Sequence, residues 1–179
     1  MVPFCGTCRL WRPRTGPQMT QNTQKHTLLF FLDQAFGRRG WHGPTLSAAL
    51  RGVTPAEARW IPSPGRNSIW QLALHAAFWK HEVRRRLAPT ATEPFPRAPA
   101  NFPGLPKDPT AAAWKADVTL LKNEQTKLVK LVRRFPAARL SRRFSGTPYV
   151  PLEQIAGIAA HDLYHCGQVT LIRKLYAAL

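Results

Sequence analysis

The chain reads as an all-α protein, four main helices packed as a bundle. Three observations predict this. Apolar residues recur at helical spacing in four long stretches. No stretch shows the strict alternation of a strand, and no internal repeat is present. Proline falls between the periodic stretches or at their start, and of the glycines only Gly157 and Gly167 lie inside one.

Lys25 to Phe36 forms the first helix, with Leu28, Leu32 and Phe36 on one face and Leu29 beside them. Gly37 and Gly40 are its stop signals. A short helix follows, with Pro44 in its first turn and Leu46 and Leu50 as its apolar residues. Pro55, Pro62, Pro64 and Gly65 then predict a loop. The second main helix runs from Asn67 or Ser68, either a good N-cap, to Leu87. Its stripe is Ile69, Leu72, Ala76, Trp79, Val83 and Leu87, with His75 on the border. Trp70, Trp79 and Trp114 are read as core.

Seven prolines between residues 89 and 109 exclude a helix there. This long crossover between helices two and three is placed to cover one end of a pocket. The third helix spans Ala111 to Arg134 behind a Thr110 cap. Its seam is Trp114, Val118, Leu121, Gln125, Leu128, Val132 and Phe135. Gln125, the polar member, is expected to be partly exposed or locally bonded rather than to face a site. The fourth helix starts at Pro151 and reaches about Ala177. Its inner seam is Gln154, Ile158, His161, His165, Gln168, Ile172 and Leu175.

With 179 residues, the chain is expected to form one domain over residues 25–179. Residues 1–24 are expected to be a disordered tail or, over 1–18, the product of an early start codon. Cys5 and Cys8 lie in that tail with C-x-x-C spacing, but no second ligand pair follows, so they carry no assigned role. The longest apolar run near the start, Leu28 to Leu32, is too short to span a bilayer. No signal peptide is evident. A bacterial cytoplasmic protein without a membrane partner is the simplest reading.

Lysine and arginine number 26 against nine acidic residues, a net charge of +17. Removing Arg9, Arg12 and Arg14 with the first 18 residues still leaves +14. The basic residues are scattered, and no zinc finger or aromatic RNA-binding signature accompanies them. Affinity for anions in general is the expectation.

His161 and His165 stand four residues apart on the inner seam of the last helix. That spacing puts them about 40° apart around the axis and about one turn apart along it. Their imidazoles can converge on one ion. A third histidine from a facing helix would complete three nitrogen ligands and leave a position open for water or substrate. Burying two imidazoles without partners is costly. The residue after His161 is Asp162, not the glutamate of a metalloprotease helix, which excludes that chemistry.

Two segments resemble the DinB/YfiT-like superfamily of small bacterial four-helix bundles. They are Ser68 to Trp79 (SIWQLALHAAFW) and Ile155 to Gln168 (IAGIAAHDLYHCGQ). The resemblance covers residues 26–177, and the later helix, with its H-x-x-x-H followed by Gly-Gln, is the more specific part. It implies a divalent metal held by His75, His161 and His165, with zinc, nickel, iron and manganese all admissible. It also implies a metal-dependent transferase using a low-molecular-weight thiol such as bacillithiol or mycothiol, or a hydrolase, acting on a small electrophile. A homodimer through helix faces fits the resemblance. The rival reading is a non-catalytic basic module that binds nucleic acid or other anions in a stress or DNA-damage response.

Several side chains have two readings each. Gln168 either bonds a metal-bound water or anchors the bundle. Glu82 is either a base two turns from His75 or the partner of Arg85 or Arg86. Asp162 either orients an imidazole or is a helix charge that faces solvent or another helix. His42 is expected to cap or to be exposed, His26 to lie on the surface and His81 to point away from His75. Cys166 is expected to be a buried structural thiol.

Overall fold

The computed structural model describes residues 19–97, 100–144 and 146–179. The residues before Met19, with Cys5 and Cys8, lie outside them. Six α-helices and no strand occur among the described residues: α1 (Gln21–Phe36), α2 (Leu46–Ala49), α3 (Pro55–Arg59), α4 (Ile69–Leu87), α5 (Ala111–Arg134) and α6 (Pro151–Tyr176). Among the described residues no helix is long and apolar enough to cross a membrane.

The helix boundaries follow capping chemistry. The Thr20, Thr45, Thr54, Ser68 and Thr110 side chains each accept a hydrogen bond from a backbone N–H three residues on. Ser68 and Gln71 close a reciprocal capping box, so Ser68 rather than Asn67 starts α4. Pro151 opens α6, and Glu153 accepts the Val150 N–H.

Three elements differ from the expectation. Helix α1 starts at Gln21, inside the expected tail, because the Thr20 cap extends it beyond the apolar periodicity. Pro44 lies before the Thr45 cap, not in the first turn of α2. The segment expected as a loop holds α3, in which Thr54 is the cap and Pro55 the first residue.

The four long helices close a ring: α4 packs on α5 and α6, and α1 packs on the same two. The core falls into two apolar clusters. One gathers Leu46, Ile69, Trp70, Trp114, Leu121, Val169 and their neighbours. The other gathers Leu28, Leu32, Leu128, Val132, Ile155 and Ile158. Between them, α4, α5 and α6 contribute Lys80, His81, Glu124, Gln125, Asp162 and His165, all buried. A polar layer therefore crosses the middle of the fold.

Helix α4 is buried almost all round, because the proline-rich crossover straps its outer side. Phe95 packs edge-on against Phe78 and contacts His81. Ion pairs fasten the strap: Glu93 to Arg84 and Lys127, and Arg97 to Asp117. Asp117 also accepts the indole N–H of Trp70 at 2.8 Å.

Helix α6 departs from its expected seam. The buried positions include Gln154, Ile155, Ile158, Ala159, Asp162, His165, Cys166, Val169 and Ile172. Asp162 is at the centre of that face, His161 and Gln168 are at its margin, and Leu175 is 45% exposed. A seam drawn at 3.5 residues per turn drifts off a straight helix over 26 residues.

Candidate metal centre

Helix α4 supplies His75 and helix α6 supplies His161 and His165. The side chains meet where the two helices pack. Nε2 of His161 lies 3.0 Å from Nε2 of His75 and 3.0 Å from Nε2 of His165. Nitrogens sharing a metal with bonds of about 2.0–2.1 Å stand about 3.0–3.4 Å apart, so these spacings suit one ion. Among the described residues no fourth histidine, cysteine or carboxylate joins the group.

The outer nitrogens fix the tautomers. His75 Nδ1–H donates to the Asn101 carbonyl at 2.5 Å, and His165 Nδ1–H donates to Gln168 Oε1 at 2.6 Å. Both Nε2 atoms therefore present bare lone pairs towards His161. His161 can put one proton between them at most, and its buried Nδ1 has no partner among the described residues. A cation among the three nitrogens would satisfy all the facing lone pairs at once. The donor set fits a divalent ion, and this arrangement of outer hydrogen bonds is what metal-binding histidines use.

Electrostatics favours the neutral, ligating form. Burial, and then the charges of His165, His75 and Lys80, hold His161 down at about 3. Burial holds His165 at about 4, against the opposing bond from Gln168. Burial also lowers His75.

The crossover roofs the site. The Phe102 ring stacks on His75 with centroids 4.2 Å apart and planes 12° from parallel. Trp79 stands edge-on to His75 and His161, and its N–H donates to Asn101 Oδ1 at 2.8 Å. Trp79 is thus a wall of the site, half-buried, rather than core. Asn101 holds both His75 and Trp79, a role invisible in the sequence because it depends on where a coil segment lands.

The remaining candidates are placed as follows. Gln168 anchors the His165 ring, and its Nε2 donates to the Tyr164 hydroxyl at 3.3 Å. Glu82 is taken up by Arg85 in a two-pronged contact at 2.8–3.3 Å. Asp162 takes the alternative in which it faces another helix rather than solvent or an imidazole: it is fully buried and paired with Lys80 across the α4–α6 contact. Gln125 is buried and donates to the Leu32 carbonyl of α1. His81 faces Glu124, away from the site. His42 is exposed, with a ring nitrogen 3.1 Å from the Gln34 carbonyl, and His26 is exposed. Cys166 is a buried free thiol directed at the Pro44 carbonyl.

The family model described as the DinB superfamily matches residues 41–169, which hold all three histidines. The chain belongs to the DinB superfamily. The match spans α2 to most of α6 and leaves α1 outside. No curated protein and no solved structure gives a match.

Proposed function

We propose that this DinB-superfamily chain is a metal-dependent enzyme that activates a thiol or water for attack on a small electrophile. The observation that carries the reading is the convergence of three Nε2 atoms, two of them stripped of protons by fixed acceptors on the far side of the ring. Structural zinc sites use four protein ligands, whereas catalytic ones use three. A divalent ion held by His75, His161 and His165 supplies Lewis acidity that lowers the pKa of a thiol or water at neutral pH.

The chain's own residues do the rest. Asn101 and Gln168 keep their protons on the Nδ1 side, so the ligating nitrogens need no reorganisation. Phe102 and Trp79 shield one side of the imidazole cluster from bulk water. The basic surface raises the local concentration of an anionic thiol.

The test is turnover by protein stripped of metal and reloaded with zinc, nickel, iron(II) or manganese. Thiol consumption with an aryl halide and hydrolysis of an aryl ester are followed side by side. Turnover that appears with one of these ions and disappears in His165→Ala is the expected result. Equal rates with and without metal in both assays would overturn the reading.

A further inference from the structure

One cleft borders the histidine centre on the α4–α6 side, and a second adjoins it at the C-terminal end of α4. The first, about 220 Å³, is lined by His161, Trp79, Val83, Arg86, Tyr149 and Ile158, among others. The second, about 450 Å³, is lined by Arg85, Arg86, Leu87, Arg139, Phe144 and Thr147, among others. Arg86 belongs to both walls. So does the turn at 146–149, which Gly146 makes possible by adopting φ +82°. Small-molecule sites measure about 300–1,000 Å³.

The second cleft is chemically one-sided. Three arginines and no carboxylate line it. Arg85 is neutralised by Glu82. Among the described residues Arg86 and Arg139 form no ion pair. Both are instead held by aromatic faces: Arg86 lies over Trp79 at 5.4 Å, and Arg139 over Phe144 at 4.9 Å and Phe135 at 5.8 Å. Stacking fixes a guanidinium plane and leaves its N–H edge available to an oxyanion. The first cleft is largely apolar, and its one carboxylate, Glu153, accepts the Val150 N–H.

We propose that the two clefts form one binding track for a small molecule with an apolar body and a terminal oxyanion, a carboxylate or a phosphate. Arg86 and Arg139 grip the oxyanion. The apolar body lies against Trp79, Val83 and Ile158, with its far end at His161. The orientation towards His161 rests on the metal-centre reading, whereas the grip on the oxyanion does not.

The experiment is calorimetric titration of the full chain with phenyl phosphate and benzoate, with phenol as the neutral control. Both anions are expected to bind at least ten-fold more tightly than phenol. Arg86→Gln and Arg139→Gln should each weaken them ten-fold or more, whereas Arg59→Gln, an exposed residue at the end of α3 and outside both clefts, should not. The glutamine variants keep the side-chain stem on its aromatic neighbour and so preserve the fold. Affinity unchanged in the two cleft variants, or weakened equally by Arg59→Gln, would overturn the track, because the attraction would then be to net charge alone. The titration is repeated on metal-stripped protein. Arginine-dependent binding there, in a chain that takes up no metal, would sink the metal centre and leave the track standing. Normal metal uptake with arginine-independent binding would do the reverse.

Discussion

Two groups of buried polar side chains share the middle layer of this fold, and they solve the same problem in opposite ways. In one, Lys80 meets Asp162 and Arg84 meets Glu124, so the buried charges find opposite charges inside the chain. In the other, three imidazoles point lone pairs at one another and find no donor sufficient for all three. A buried charge that is paired internally maintains the fold, even where one atom, Asp162 Oδ1, has no further partner among the described residues. A buried cluster whose members can be satisfied only by something from outside marks a site. The difference lies in partners rather than in residue type or burial.

The largest expected effect breaks the first group. Asp162→Ala leaves the Lys80 ammonium buried and unpaired, which costs about 3–5 kcal/mol. The double variant Lys80→Met with Asp162→Leu should recover most of that loss. Urea unfolding measures both, and a loss below about 1 kcal/mol for Asp162→Ala would show that the pair does not carry the layer.

Next in size is a change in the second group that leaves the ligands in place. Gln168→Leu removes the acceptor that holds the His165 ring. Loss of such an outer partner lowers metal affinity about 10–100-fold. Competition with a chromophoric chelator reads this directly, and unchanged affinity would deny Gln168 its positioning role.

The smallest effect separates the histidine group from the ion pairs of the strap by pH. In metal-free protein His161 and His165 titrate at about 3 and 4, below the 6.5 of an ordinary imidazole. Between those limits the unfolded chain binds more protons than the native one. Their contribution to stability is therefore complete above pH 6.5 and declines as pH falls towards 4. Glu93, held at about 2 chiefly by its bond from Lys127, declines in a lower window, below about 4.5. Unfolding midpoints in chelator at pH 7, 6 and 5 should fall for the native sequence and stay flatter for a His161→Ala, His165→Ala double variant. Parallel curves would contradict the depressed histidines.

Much of this arrangement was legible in the sequence. Thr110 and Arg134 delimit α5 as expected, because cap, seam and the following proline all agree. The four-residue spacing placed His161 and His165 together on α6. What escaped depends on long-range packing. Lys80 looks like an exposed helix charge until α6 brings Asp162 against it. Asn101 and Phe102 sit in a coil whose path is set by distant ion pairs at Glu93 and Arg97. Helix α3 escaped because three prolines in ten residues mask a Thr-Pro start.

The most direct measurement is metal content per chain, by elemental mass spectrometry, in protein purified without an affinity metal and then reconstituted. The account predicts about one equivalent of a divalent transition metal in the native sequence, and none in a His161→Ala variant that still folds. No bound metal in the native protein, or the same content in both proteins, would contradict it.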